Sequence, residues 1–230
     1  ILQYIAAHDT LTLHDVIAYS TDLDPALYED EIQKRIRLGN AIILTSQGVA
    51  FIHAGQEYGR TKQWKSDIPP TSDYAFSEGF QYPYFIENSY DASDAVNMFD
   101  WDKVTKDGIQ KTTMEFTKGL IQLRKSTDAF RLGTEDEIAT NVRLIESPDI
   151  KATDLVIAYS ATASTGEEFI VVLNADNQER AIQMDVDLNS GMVVVDADEA
   201  GIHAVSEPNG YLIQNGTLFM DPLTVIVIKK

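Results

Sequence analysis

Two short apolar runs separated by a helical pattern constrain this chain most. The first, Leu2, Tyr4, Ile5 and Ala6, leads into a His8-Asp9 pair, and the second, Val49-Ala50-Phe51-Ile52-His53-Ala54, ends at Gly55. Such short, near-continuous runs are expected of strands buried on both faces. Between them, Asp24-Pro25 reads as an N-cap followed by Pro at the first helical position. Ile32, Ile36, Ile43 and Leu44 then recur on one helical stripe, and Gly48 is a stop signal. His8 to Ser20 reads as a loop with one helical turn. Strand, loop, helix and strand form a βαβ unit, with parallel strands and a right-handed crossover. Two parallel strands cannot close a sheet, because bare edges and uncovered faces remain. The expectation is the C-terminal piece of a larger α/β fold, starting inside a strand that needs neighbours.

Residues 56–109 show no clear period and hold Pro69, Pro70, Pro83 and many aromatics and acids. A loop this long within a compact domain is usually functional. A helix is expected from Gln110 to Ser126, with Thr112 and Glu115 as a weak capping box and Phe116, Leu120, Ile121 and Leu123 as its apolar stripe. After about Phe130 the pattern turns β-rich: Val142–Glu146, Asp154–Ser160, Glu168–Asn174, Ala181–Val186 and Met192–Val195. Tyr211–Gln214, Asn215-Gly216 and Thr217–Met220 read as a hairpin, since Asn-Gly supplies the positive φ of a type I′ turn. Leu223–Ile228 is a last strand. Short strands with regular turns predict an antiparallel sandwich. The fold class is therefore α/β plus all-β, with domains at 1–130 and 131–230.

Acidic residues number 36 against 18 Lys plus Arg, a formal net charge of -18. That argues against a nucleic-acid partner, which needs a basic face, and suits a neutral ligand or a cation. With 0 Cys, disulfides and thiolate metal sites are excluded. No apolar stretch approaches the roughly 20 residues of a membrane span.

A carboxylate just after a parallel strand can stabilise positive charge, act as a base or bind sugar hydroxyls; it can also simply cap a turn. The loops beyond it interleave Asp91, Asp94, Asn97 and Asp100 with Trp64, Tyr74, Tyr82, Tyr84, Phe85 and Tyr90. Aromatic faces stack on sugar rings while Asp, Asn and Arg bind hydroxyls; an ordered loop pinned by its aromatics has the same composition. Asp73 and Asp91 read either as ligands of a structural calcium ion or as part of a solvated acidic loop.

Three segments carry a resemblance. YIAAHDTLTLHD resembles the fourth signature region of the α-amylase superfamily of glycoside hydrolases, in its type I pullulanase form. GVAFIHAGQEYGRTK resembles that family's last barrel strand and following loop, and NSYDASDAVNMFDW the segment after it. The chain departs from the family pattern at Thr10, where Asn is common, and at His14, where Trp is common. The resemblance covers the first 130 residues and implies strands 7 and 8, with their helices, of a (β/α)8 TIM barrel, followed by the family's C-terminal β-sandwich.

Such enzymes are retaining glycosidases, and retention needs two carboxyls about 5 Å apart. By motif, Asp9 is implied to be the third carboxylate, the transition-state stabiliser, with His8 donating to the same sugar. Arg60, Tyr90, Asp94 and Asn97 are implied sugar contacts. Glu57, although it follows a strand, is expected to anchor a loop, and His14 and Asp15 are expected to be structural. The nucleophile Asp and acid/base Glu are expected in an N-terminal partner segment, without which this chain should be inactive. The implied substrates are pullulan, glycogen and branched dextrins, cleaved at α-1,6 linkages with no cofactor required for the chemistry. An extracellular or bacterial cell-surface location is implied. Rival readings are an isoamylase-type or glycogen-debranching enzyme, an amylopullulanase, a non-catalytic α-glucan-binding barrel, and a self-contained interaction module.

Overall fold

The structure is a computed structural model that describes residues 1–66, 68, 70 and 84–230. These fall into two compact units: Ile1–Gln3, Arg37–Ala50 and Glu115–Lys230 in one, Tyr4–Ile36 and Phe51–Met114 in the other.

The first unit contains two antiparallel sheets. One has five strands in the order β3 (Val142–Leu144), β4 (Val156–Thr162), β5 (Glu168–Asn174), β10 (Thr224–Lys229) and β7 (Met192–Val195). The other has three, β6 (Arg180–Gln183), β9 (Thr217–Met220) and β8 (Tyr211–Gln214). Ile170, Val172, Ile226 and Ile228 of the larger sheet share one apolar core with Ile182, Leu218 and Met220 of the smaller. Apolar residues of two sheets meeting in one core make a sandwich. Asn215 and Gly216 both have positive φ, 53° and 79°, as a type I′ turn requires.

The same unit holds a parallel pair of two-residue strands, β1 (Leu2–Gln3) and β2 (Val49–Ala50), in the register Leu2↔Val49. Both runs are shorter than their apolar patterns predict. They are also not buried on both faces: Leu2 is 53% and Val49 65% exposed, and Tyr4, Ile5 and Phe51 are exposed as well. Apolar sequence supplies the tendency to be buried, but no neighbouring strand among the described residues covers it. Helix α5 (Ile109–Ser126) turns Phe116, Leu120 and Leu123 inward, whereas Ile121 is exposed, contrary to the predicted stripe. The helix begins ahead of Thr112, so Thr112 caps nothing; its hydroxyl donates to the Gly108 carbonyl. The capping box lies instead at Thr134 and Glu137, opening an unexpected short helix α6 (Glu135–Asn141). Arg124 donates to the carbonyls of Leu44, Ser46 and Gly48 at 3.0, 2.8 and 2.5 Å. It thereby satisfies carbonyls left over at the C-terminus of helix α2 (Pro25–Thr45).

In the second unit, α1 (Leu13–Thr21) replaces the expected loop. Its start is set by Thr12, whose hydroxyl accepts from the Asp15 N–H. Asp24 accepts from the Ala26 N–H, so Asp24-Pro25 does open α2. Leu11, Ala18, Ile32, Ile36 and Phe85 form this unit's apolar core.

Candidate functional site

An open cleft of about 660 Å³ in the second unit is lined by His8, Asp9, Thr10, His53, Arg60, Glu87, Asn88, Ser89, Tyr90 and Asn97. The chain reverses sharply at its rim. Thr10, directly after Asp9, sits at φ 63°, a left-handed conformation uncommon for a residue with a β-branched side chain. His8 and Asp9 project into solvent, each with 84% of its side chain exposed, and His8 Nε2 lies 3.3 Å from Asp9 Oδ1. An exposed carboxylate with an adjacent imidazole can receive sugar hydroxyls from one side of the cleft.

On the opposite wall, Gly55 has φ 95°, and a Cβ there would strike the Arg60 side chain at 2.6 Å. Only glycine permits Arg60 to fold back across this turn. Glu57 Oε2 accepts from the Gly55 N–H at 2.7 Å, so Glu57 anchors the loop it belongs to. His53 has its pKa lowered, first by burial and then by the charges of Arg60, His8 and Lys62. It therefore faces the cleft as a neutral imidazole at pH 7.

The third wall is the 87–97 segment. Tyr90 is almost fully exposed, and its backbone N–H is held by Asn88 Oδ1 at 3.2 Å. Asn97, on short helix α3 (Asp94–Asn97), donates to the carbonyls of Ser89 and Ala92 at 2.7 and 3.2 Å. Its amide nitrogen thereby braces the turn that carries Tyr90. The cleft thus gathers Asp9, His8, Arg60, Tyr90 and Asn97. Asp94 is exposed and does not line it. Asp91 is also exposed, Asp73 lies outside the described residues, and no group of three potential metal ligands occurs among the described residues.

Two buried features lie in the same unit, the first at the His14-Asp15 pair expected to be structural and the second at a residue the sequence did not single out. His14 is buried, with Nδ1 3.0 Å from Asp15 Oδ1 and Nε2 3.0 Å from Glu29 Oε2. Burial alone would lower its pKa, but the two carboxylates outweigh burial and raise it to about 9. Asp15 in turn accepts from the Thr61 hydroxyl and from the Lys62 N–H. The other feature is Lys62, also buried, whose ammonium donates to the carbonyls of Thr10 and Glu87, both at 2.6 Å. Lys62 and its acceptors lie 52 and 25 residues apart in sequence, so no local pattern could have revealed the contact.

Residues 141–230 match the family described as SpuA C-terminal. Pullulanase A of Streptococcus pneumoniae is 40% identical over 253 aligned positions, covering 100% of this chain and 20% of that protein. A pullulanase of Group B Streptococcus, solved in complex with maltotetraose, aligns with TM-score 0.91 and 49% identity over 100% of this chain and 32% of that one. The multi-modular glycogen-degrading pneumococcal virulence factor SpuA, solved as a product complex, aligns with TM-score 0.90 and 40% identity over 100% of this chain and 26% of that one. The chain thus spans about a fifth of the length of the curated relatives it matches. Along its whole length the chain is similar to part of those longer pullulanases.

Proposed function

We propose that this chain is the C-terminal part of a pullulanase that hydrolyses α-1,6-glucosidic linkages in pullulan, glycogen and other branched α-glucans. Residues 1–130 would supply the seventh and eighth strands of the catalytic (β/α)8 barrel, with their helices, and residues 131–230 its sandwich domain. The observation carrying the reading is the convergence of His8-Asp9, Arg60 and Tyr90 on one cleft, with His8-Asp9 and Arg60 in the stretches of sequence that follow the two parallel strands. Barrel enzymes build their sites from the stretches that follow their strands. The exposed apolar residues of the parallel pair support it further, because barrel strands one to six would cover them. Maltotetraose in the Group B Streptococcus relative and the glycogen-degrading activity of SpuA point to the same substrate class.

In this mechanism Asp9 binds hydroxyls of the sugar at the cleavage point and stabilises the distorted, positively charged transition state, while His8 donates to the same ring. An interaction stronger with the distorted ring than with the relaxed one accelerates the chemistry. Arg60 and Asn97 would bind hydroxyls and Tyr90 would stack on a ring face. The nucleophile and acid/base carboxyls would come from the barrel strands outside this chain, so the chain alone would be inactive. The step needs no cofactor, and a calcium ion near Asp73 and Asp91 would be structural only. An extracellular or cell-surface site fits the polymeric substrate, and among the described residues no helix is long and apolar enough to cross a membrane.

The test is incubation of the complete enzyme with pullulan. Release of maltotriose with retention at the anomeric carbon is expected. Binding of α-glucan without turnover would support a non-catalytic carbohydrate-binding protein instead.

A further inference from the structure

We infer that Lys62 is a positioning residue for Asp9, fixing the Asp9-Thr10 turn against the 87–89 loop that leads to Tyr90. The inference rests on the reading of Asp9 as transition-state stabiliser. Lys62 is 2% exposed. Its ammonium donates to the Thr10 carbonyl and the Glu87 carbonyl at 2.6 Å each, with Ser89 Oγ further away at 3.5 Å. Its backbone extends the same tie, the N–H to Asp15 Oδ2 at 2.7 Å and the carbonyl to the Ile86 N–H at 3.1 Å. One residue therefore ties its own stretch to two others remote from it in sequence, Thr10–Asp15 and Ile86–Ser89, and Thr10, Glu87 and Ser89 all line the cleft.

Burying an ammonium is costly unless something compensates. No carboxylate lies within ion-pair distance of this Nζ among the described residues; its close partners are two backbone carbonyls. A structural tie between loops could be made by a neutral donor such as Gln or Ser. An ammonium adds two things. Its three donors reach acceptors on both loops at once, and its positive charge lies beneath a site whose working group is an anion. The grip falls on Thr10, whose φ of 63° must be held in place for Asp9 to face the cleft. Strained backbone at a functional site persists when its surroundings over-determine it, and Lys62 is the group that does so here.

The test uses the complete enzyme with pullulan as substrate and maltotetraose as binding probe. Lys62→Met should lower kcat 10- to 100-fold while the Kd for maltotetraose stays within about threefold, measured where circular dichroism shows the variant folded. Adding Thr10→Gly to Lys62→Met should restore at least severalfold of the lost kcat, because glycine holds a positive φ without strain. Lys62→Gln keeps a neutral donor and serves if Lys62→Met does not fold; its kcat should fall at least fivefold. A kcat within threefold of wild type in either folded variant overturns the inference. So does an equal loss in kcat and in maltotetraose affinity, or the absence of any rescue by Thr10→Gly. If the wild-type enzyme releases no maltotriose, or Asp9→Asn is fully active, the functional reading fails, and that outcome is distinct from a wild type that works alongside indifferent Lys62 variants.

Discussion

The strands β5 and β10 and the pair β1 and β2 are written in the same apolar alphabet and meet opposite fates. Phe169 to Leu173 and Val225 to Ile228 are buried throughout, in register with each other and beneath a second sheet. Leu2 and Val49 face each other in the register of the parallel pair, yet remain exposed. Burial is a property of the neighbours a strand finds, and the two regions differ in whether those neighbours lie among the described residues. The antiparallel region completes its own core. The parallel pair keeps its apolar surface uncovered among the described residues.

Three changes sharpen or break that contrast in the complete enzyme. His14→Ala should be the most damaging, costing about 3–5 kcal/mol by leaving Asp15 and Glu29 without their buried counter-charge, read as a lower thermal midpoint. The same pair predicts a pH dependence. Because the folded pKa of His14 is raised to about 9 from 6.5, its stabilisation is full below pH 6.5 and lost as pH rises through 9. Thermal scans from pH 6 to 10 should show that loss in wild type and not in His14→Ala. Next, Ile226→Ala in the sandwich should cost about 2–5 kcal/mol, as for other buried aliphatic residues. Val49→Ser should cost about 1–3 kcal/mol in the complete enzyme, because the proposed barrel strands would bury it. A cost near zero for Val49→Ser would mean that the parallel pair stays exposed in the whole protein and that no barrel closes over it.

What could be read from the sequence follows from how local its causes are. The limits of β5 and β7 and the Asn215-Gly216 hairpin were legible because strand alternation and turn chemistry act over a few residues. Thr134 and Glu137 form a capping box whose spacing is present in the sequence, so α6 carried a usable signal that the surrounding β-rich pattern obscured. The length of α1 was less accessible, because its buried residues His14 and Asp15 are polar and their partners, Glu29, Thr61 and Lys62, come from elsewhere. In the cleft, motif resemblance singled out His8, Asp9, Arg60, Tyr90 and Asn97, which the fold brings together, and also Asp94, which it leaves outside. Lys62 was invisible for the opposite reason: its role depends on two distant carbonyls, and carbonyls carry no sequence signature.

The most direct test is Asp9→Asn in the complete enzyme, with maltotriose release from pullulan and maltotetraose affinity measured on the same preparation. If Asp9 acts mainly on the transition state, kcat falls about a thousandfold while Kd changes by no more than a few-fold. A kcat within tenfold of wild type, or a large loss of binding with turnover preserved, would contradict the assignment of this cleft as the stabilising half of the active site.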